Sequence, residues 1–193
     1  MFNSLFKIVY IVLFMLTFIV RKIFTVNNSK TDFIVEKKSS GDIILLVFDG
    51  IGMIVPLVYV FSSWLDFADY YMPNWVGWIG IVLFMDAIIL LYFSHAHLGN
   101  NWSPVLGIKE KHTLVTHGIY KYIRHPMYAA HILWAVAQIL ILHNWIAGFS
   151  FIIVMVPHYL LRVDKEEKMM LDQFGIEYEE YMKTTGRIIP KLP

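Results

Sequence analysis

Long apolar blocks alternate with short polar segments along this 193-residue chain. A helix that crosses the roughly 30 Å hydrocarbon core of a bilayer needs about 20 mostly apolar residues. Residues 2–20, 43–64 and 75–93 meet this requirement, and each block contains a single charged residue. The pattern therefore predicts three transmembrane spans within residues 1–93.

Two shorter apolar segments, 128–142 and 145–161, follow a polar stretch at 94–126. Only His143 and Asn144 separate them, and so short a connection makes two helices antiparallel neighbours. We expect a helical hairpin here, which brings the predicted number of transmembrane helices to five.

The residues after this hairpin are predicted to continue as a helical tail. Apolar and charged residues from Arg162 to Phe174 keep a helical spacing, and Gly175 is suited to end the helix. The predicted fold class is therefore all-α. We expect a polytopic integral membrane protein with five transmembrane helices, the last two as the hairpin, and a C-terminal helical tail.

Basic residues are concentrated in alternate polar segments. Five Lys or Arg residues lie in 21–42, four in 94–126 and six from residue 162 onward, whereas residues 63–74 contain none. Because basic loops stay on the cytosolic side of a membrane, we expect an outside N-terminus and a cytosolic tail. The 94–126 segment and the tail would then lie on the same side, where they can meet.

Composition supports a membrane protein and removes several functional classes. Hydrophobic residues make up 58% of the chain and charged residues 16%, which is more apolar than a water-soluble domain of this length can bury. The net charge is +1 and no basic run is interleaved with aromatic residues, which excludes nucleic acid as a partner. The chain has no cysteine, so its chemistry must come from histidine, arginine, acidic residues, tyrosine or a cofactor. No strand leads into a glycine-rich phosphate turn, which excludes a nucleotide-binding α/β domain.

Several polar residues are candidates for chemistry, and each has a structural alternative. Asp49 and Asp86 lie inside predicted spans, where an ionisable residue is either functional or satisfied by a partner on another helix. His95 and His97 lack a carboxylate at metal-binding spacing, so we expect no metal.

Arg162 and Glu166 stand four residues apart at the predicted exit of the last membrane helix. This spacing puts both side chains on one helix face, where such a pair usually stabilises the helix as an ion pair. Their position at the membrane boundary, on the same side as the polar 94–126 segment, also suits a functional role. The spacing alone leaves both interpretations open.

The polar segments contain an ordered series of motifs. These are residues 112–120, residues 122–128, Arg162 with Glu166 and Glu167, and residues 174–181. In order and spacing they resemble the signature of the isoprenylcysteine carboxyl methyltransferase family, and residues 98–103 are similar to its prokaryotic members. The resemblance covers residues 95–193, about half of the chain.

The resemblance implies S-adenosylmethionine as the cofactor, bound in a pocket that faces the cytosol. The positions that match the family's cofactor pocket are His112, Thr113, Leu114, Val115, Tyr120, His125, Pro126, Met127, Tyr128 and Glu166. Arg162 matches an arginine at the reactive end of the site. Residues 94–193, including the last two membrane helices, are therefore expected to form one integrated cofactor-binding and catalytic region. A lipophilic acceptor would reach this site sideways from the bilayer.

The chemistry of the acceptor determines which residues are catalytic. A carboxylate, with a pKa of about 3.5, is ionised at neutral pH and needs a cation rather than a base, which Arg124 or Arg162 would supply. An amine acceptor, as in the related phospholipid methyltransferases, needs a base, for which His125 or Glu167 is available. We expect carboxyl O-methylation of an isoprenylcysteine-like lipid, with amine N-methylation as the alternative.

Functions outside methyl transfer remain as further hypotheses. A lipid or steroid reductase of similar architecture would need a nicotinamide site. A membrane scaffold or transporter would need no catalytic site, although five spans without an inverted repeat disfavour a transporter. We expect the protein in a prokaryotic cell membrane, where a prenylated protein C-terminus is not an expected substrate, so the natural acceptor stays open.

Overall fold

The computed structural model describes residues 2–28, 33–36, 40–101, 107–109 and 113–191, and most of them are helical. The helices are α1 (Phe2–Asn28), α2 (Ser40–Phe61), α3 (Asn74–Leu98), α4 (Pro126–Leu142), α5 (Trp145–Phe174) and α6 (Ile176–Thr184). A short antiparallel ribbon, which the sequence did not predict, pairs β1 (Phe33–Glu36) with β2 (Gly107–Lys109).

Within the described ranges, four helices are long and apolar enough to cross a membrane, namely α1, α2, α3 and α5. The apolar helix α4 has 17 residues and is about 26 Å long at 1.5 Å per residue. It packs beside α5 as the other arm of the predicted hairpin. These five helices confirm the predicted all-α, polytopic membrane architecture.

Helix α5 is longer than predicted. It runs unbroken for 30 residues, so the predicted tail helix is a continuation of the last membrane helix. At 1.5 Å per residue its length is about 45 Å, which exceeds the thickness of the hydrocarbon core. It ends at Gly175, whose φ of 53° is a left-handed conformation that favours glycine. The helix end predicted at this glycine is confirmed.

Helix α4 lies at the centre of the bundle, where it packs against α1, α3 and α5. Its Trp134 is buried and stacks on Phe84 of α3, with ring centroids 5.5 Å apart. One turn further along, Gln138 accepts a hydrogen bond from Tyr10 of α1 at 2.8 Å and donates to the Ala147 carbonyl of α5 at 2.7 Å. Because these hydrogen bonds are directional and buried, they fix α1 and α5 relative to α4.

Helix α2 packs extensively against α5 alone among the described elements. A side chain at Gly52 would place its first carbon 2.5 Å from Val154 Cγ2 and 3.1 Å from the Ser150 carbonyl oxygen. The two helices therefore approach closely at a point where α2 has no side chain. The Ser150 hydroxyl also donates to the Gly52 carbonyl at 2.9 Å. Many of the other apolar side chains of α2 are exposed, and some of its residues line the cavity described below.

The turn between α4 and α5 is held by Asn144. Its side-chain oxygen caps α5 by accepting from the N–H groups of Ile146 and Ala147 at 3.1 and 2.8 Å. Its side-chain nitrogen donates to the Leu65 carbonyl and to Asp69, both at 2.7 Å. The predicted two-residue connection is confirmed, and Asn144 ties it to the loop between α2 and α3.

The residues after α5, 175–191, are called the tail from here on. The tail folds back onto the segment that precedes α4. The Arg124 N–H donates to the Gly186 carbonyl and the His125 N–H to the Arg187 carbonyl, each at 2.8 Å. The two polar segments that the sequence assigned to one side of the membrane are therefore in direct contact.

Candidate active site

A cavity of about 520 Å³ lies between the membrane helices and the segment 113–128. Its volume falls within the roughly 300–1,000 Å³ that is usual for small-molecule sites. It is lined by most of the predicted site residues: Thr113, Leu114, Val115, Tyr120, Arg124, His125, Pro126, Met127, Tyr128, Arg162 and Glu166. Of the other two, Glu167 does not line the cavity, and His112 lies outside the described residues.

The beginning of the predicted cofactor motif is attached to the end of α3 by Asn101. The Asn101 amide nitrogen donates to Thr113 Oγ1, and the Thr113 N–H donates back to Asn101 Oδ1, both at 3.2 Å. Thr113 is exposed, whereas Val115 two residues later is buried. This reciprocal pair therefore holds residues 113–115 at the edge of the cavity.

Tyr120 lies in the short helical turn Gly118–Lys121 and is buried. Its hydroxyl donates to the Ser94 carbonyl at 3.3 Å, and its own carbonyl accepts from the Tyr181 hydroxyl at 2.5 Å. Burial raises the pKa of Tyr120, and the nearby Tyr181 and Glu166 act in the same direction. The hydroxyl is therefore protonated at neutral pH and acts as a donor that fixes this turn against α3.

Glu166, Arg162 and Tyr128 form a connected group in the cavity wall. Arg162 Nε donates to Glu166 Oε1 at 2.9 Å, and the Tyr128 hydroxyl donates to the same oxygen at 2.8 Å. The second oxygen, Glu166 Oε2, lies 3.6 Å from His125 Nδ1. The Arg162 side chain is 8% exposed and that of Glu166 is 21% exposed. The ion pair that the four-residue spacing allows is thus formed, and it faces the cavity.

Glu167 contacts the tail. Its Oε1 accepts from Arg124 Nε and Nη2 at 3.0 and 2.8 Å and lies 3.2 Å from His125 Nε2. Its Oε2 accepts from Arg187 Nε and Nη2 at 3.0 and 2.6 Å. Arg124 Nη1 also donates to two carbonyl oxygens of the tail. Glu167 and Arg124 therefore use their hydrogen-bonding groups mainly to join α5, the segment before α4 and the tail.

The sequence did not connect four further polar residues that line the same cavity: Arg21, Asp49, His131 and His158. Asp49 Oδ2 lies 2.5 Å from His158 Nδ1, and Arg21 Nη1 lies 3.3 Å from His131 Nε2. In the sequence, the one feature that could have pointed to this group was the location of Asp49 inside an apolar span. Asp86 gives the same signal, but it is exposed on α3 and does not line the cavity.

Residues 73–172 match a family model described as the isoprenylcysteine carboxyl methyltransferase (ICMT) family. This range is just over half of the chain and contains α3, α4 and nearly all of α5. The chain belongs to the isoprenylcysteine carboxyl methyltransferase family. The resemblance found in the motifs is confirmed, and the family match extends it upstream to the beginning of α3.

Members of the isoprenylcysteine carboxyl methyltransferase family share part of their length with this chain. It is 34% identical to the protein-S-isoprenylcysteine O-methyltransferase of Schizosaccharomyces pombe, over 49% of this chain and 41% of that protein. It is 28% identical to protein-S-isoprenylcysteine O-methyltransferase A of Arabidopsis thaliana, over 60% of each. The Homo sapiens enzyme is 29% identical over 69% of this chain and 50% of its own length. The chain thus spans 41% to 60% of these three relatives.

The fold is similar to a solved structure of the eukaryotic intramembrane Ras methyltransferase ICMT without a monobody. The TM-score is 0.56 at 24% sequence identity, and the similarity covers 81% of this chain and 54% of that one. This likeness concerns the arrangement of the helices.

Proposed function

We propose that this protein is an S-adenosylmethionine-dependent methyltransferase that methylates the carboxyl group of a lipid-linked, isoprenylcysteine-like acceptor. The observation that carries this proposal is the cavity itself, which joins the motif residues of 113–128 to charged side chains between membrane helices. One site can therefore hold a polar cofactor together with the reactive end of a lipid. The relatives named above, all isoprenylcysteine O-methyltransferases, support the same reaction.

The residues around Glu166 fit S-adenosylmethionine. The Glu166 carboxylate is partly exposed in the cavity wall and would bind the ammonium group of the cofactor. Met169, Met170 and Tyr178 line the cavity with thioether and aromatic surface suited to the adenosyl part. When bound, the cofactor supplies a methyl group on a sulfonium, which a carboxylate oxygen takes in one displacement while the electron pair of the broken bond stays on sulfur. The protein then has mainly to align the acceptor and exclude water.

A carboxylate acceptor suits the charges of the cavity. It has already lost its proton at neutral pH, since its pKa is about 3.5, and it needs no base. Arg162 lines the cavity and would orient the anion through its planar guanidinium. Of the two residues available as a base for an amine acceptor, Glu167 lies outside the cavity lining and accepts from Arg124 and Arg187, whereas His125 lines the cavity. The Arg162 guanidinium in the lining favours an anionic acceptor, and hence carboxyl O-methylation, with amine methylation assisted by His125 as the alternative.

Helices α1 and α2 both contribute side chains to the wall of the cavity. At one end they are joined by Lys7, whose ammonium lies 3.7 Å from the Tyr59 ring centroid and donates to the Tyr59 carbonyl at 3.2 Å. Towards the other end, Phe18 of α1 and Leu46 of α2 line the cavity, and Leu46 is also 43% exposed. An apolar chain would reach the site between these helices, which supports a lipophilic acceptor.

We propose a prokaryotic cell membrane as the location, with the N-terminus outside and the motif residues in the cytosol. Fifteen of the sixteen Lys and Arg residues belong to segments that the positive-inside rule assigns to the cytosol. The similarity of residues 98–103 to prokaryotic members of the family supports the type of membrane.

Calorimetric titration of the detergent-solubilised protein with S-adenosylmethionine, in excess chelator, tests the cofactor assignment. Within the described residues no group of three His, Cys, Asp or Glu side chains is arranged to hold a metal ion. The proposed contacts use a carboxylate, aromatic rings and thioethers, so we expect saturable binding that the chelator leaves unchanged. Absence of binding, or binding that disappears with the chelator, would contradict the proposal.

A further inference from the structure

Two charged residues of the cavity, Arg21 and Asp49, have no role in the reaction as described so far. Both precede residue 73, where the match to the family model begins. They lie on α1 and α2, the two helices between which the lipid chain is proposed to pass. Ionisable side chains inside spans are costly, so their position in the cavity wall calls for a function.

Arg21 differs from the other arginines of the chain in its partners. Arg124, Arg162 and Arg187 each form an ion pair with a glutamate, at 2.8, 2.9 and 2.6 Å. Among the described residues Arg21 forms no ion pair with a carboxylate, and its guanidinium contacts His131 at 3.3 Å. A guanidinium in this position retains donors for an anionic ligand in the cavity.

Asp49 retains a hydrogen-bond acceptor. Its Oδ2 is engaged by His158 at 2.5 Å. Its Oδ1 is buried and has no hydrogen-bond partner among the described residues. The Asp49 side chain as a whole is 14% exposed. Buried polar atoms are normally satisfied, so this oxygen is suited to accept from a donor on a ligand.

Asp49 is connected to the proposed cofactor end of the cavity through His158 and Tyr128. The Tyr128 ring lies 6.0 Å from the His158 ring, and the Tyr128 hydroxyl donates to Glu166 at 2.8 Å. Arg21 and Asp49 line the same cavity as Glu166. A cation and a hydrogen-bond acceptor are thus available in the cavity that contains the proposed site of methyl transfer.

We propose that Arg21, Asp49, His131 and His158 form a head-group subsite for the acceptor. Arg21 binds the carboxylate that receives the methyl group, and its guanidinium adds to that of Arg162. Asp49, held by His158, accepts a hydrogen bond from an N–H on the carbon next to that carboxylate. The inference rests on the proposed function and assigns to these residues the recognition of the acceptor's carboxylate and of the N–H beside it, so that acids that lack the nitrogen are bound less well.

Two acceptors that differ only in the acetamido group, and therefore in the N–H, test this subsite: N-acetyl-S-farnesylcysteine and S-farnesyl-3-thiopropionic acid. Their kcat/KM values and dissociation constants are measured for the parent, Asp49→Ala and Arg21→Met. Asp49→Ala should lower kcat/KM for the N-acetyl compound by about tenfold or more and change that for the nitrogen-free acid by less than about twofold. Arg21→Met should lower kcat/KM for both acids by about 10- to 100-fold.

Matched controls separate these effects from damage to the fold. Asp86→Ala removes the other intramembrane aspartate, which is exposed, and Lys22→Met removes the exposed cation next to Arg21. Neither residue lines the cavity, so both control variants should behave as the parent. All variants should bind S-adenosylmethionine as the parent does.

The outcomes distinguish failure of the subsite from failure of the proposed function. If the parent methylates the acids but Asp49→Ala affects both equally, or Arg21→Met affects neither, the subsite is wrong. If the Asp49 and Arg21 variants lose cofactor binding while the control variants keep it, the two residues have a structural role. The subsite is then wrong as well. If the parent transfers no methyl group yet binds both acids with the expected dependence on Asp49, the subsite stands and the methyltransferase proposal fails.

Discussion

Glu166 and Glu167 are adjacent in α5, yet their carboxylates bind different parts of the molecule. Successive residues of a helix point about 100° apart, so the two carboxylates face different sides of α5 and share only His125, whose two ring nitrogens lie 3.6 Å from Glu166 Oε2 and 3.2 Å from Glu167 Oε1. Glu166 faces the cavity and accepts from Arg162. Glu167 faces the tail and accepts from Arg124 and Arg187. One carboxylate therefore remains available to a ligand while the other joins segments of the chain.

Alanine substitutions at Glu166 and Arg162 should fail in different ways. Glu166→Ala should weaken binding of S-adenosylmethionine, because it removes the carboxylate proposed for the cofactor ammonium. Arg162→Ala should keep the cofactor but lower turnover by about 10- to 1,000-fold, roughly the loss of one charge-assisted contact in a dry site. Arg162→Lys should restore activity only in part, since a point charge replaces a planar fork. Calorimetry and single-turnover kinetics measure the two effects separately.

An exposed ion pair of α6 provides the control for this comparison. Lys183 Nζ lies 2.7 Å from Glu180 Oε1, and both side chains are more than half exposed. Glu180→Ala should change neither cofactor binding nor turnover. If Arg162→Ala and Glu166→Ala also stay within about twofold of the parent, their pair has a structural role only.

At the residue scale, most of the residues that motif matching identified line the cavity, but the motifs could not divide the roles of these residues. Glu167 and Glu166 share one motif, and only the packing around α5 separates the carboxylate in the cavity from the one on the tail. Arg21 and Asp49 were not connected to the site because their contacts lie 110 and 109 positions away in the chain. Local spacing contains no information about pairs that form only when distant helices pack.

Among the helices, α5 links the membrane to the site. It packs against α2 and α4, and its last turns contain Glu166, which accepts from Arg162 in the cavity wall, and Glu167, which contacts the tail. The α5 helix was predicted as two pieces because its composition changes from apolar to polar near Arg162. Helical spacing continues across that change, and so does the helix. The ribbon of β1 and β2 was missed because its strands are four and three residues long and pair across more than 70 positions.

The attachment of the tail to α5 should depend on Glu167 more than on any exposed residue. The Glu167 side chain is 4% exposed and that of Arg124 is 7% exposed, so Glu167→Ala would leave a buried guanidinium without its carboxylate. Removing one member of a buried ion pair costs about 3–5 kcal/mol. Thermal unfolding in detergent should reveal this loss, and limited proteolysis should cut the tail sooner.

Asp164→Ala is the matched control, because Asp164 contacts the same Arg187 at 2.8 Å but is 73% exposed. An exposed pair of this kind contributes about 0–1 kcal/mol. Equal stability of the Glu167→Ala and Asp164→Ala variants would contradict the anchoring role of Glu167.

For the whole molecule, the orientation in the membrane remains a prediction from charge. Native cysteine is absent, so single cysteines report the side on which they lie. Tyr71→Cys in the loop before α3 should be labelled from outside, and Lys183→Cys in α6 from the cytosol, because both side chains are exposed and lie on opposite sides in the proposed topology. Membrane-impermeant maleimide applied to intact and to opened cells measures this. Labelling of both positions from the same side would contradict the five-helix orientation.

The identity of the methylated group is decided by transfer of a radiolabelled methyl group from S-adenosylmethionine, with the purified protein and either N-acetyl-S-farnesylcysteine or a cell lipid extract. Alkali hydrolyses a carboxyl methyl ester and releases labelled methanol, whereas a methylated amine keeps its label. Carboxyl O-methylation predicts a lipid-soluble product whose label becomes volatile after alkali. A product whose label resists alkali, or no transfer to either acceptor preparation, would contradict it.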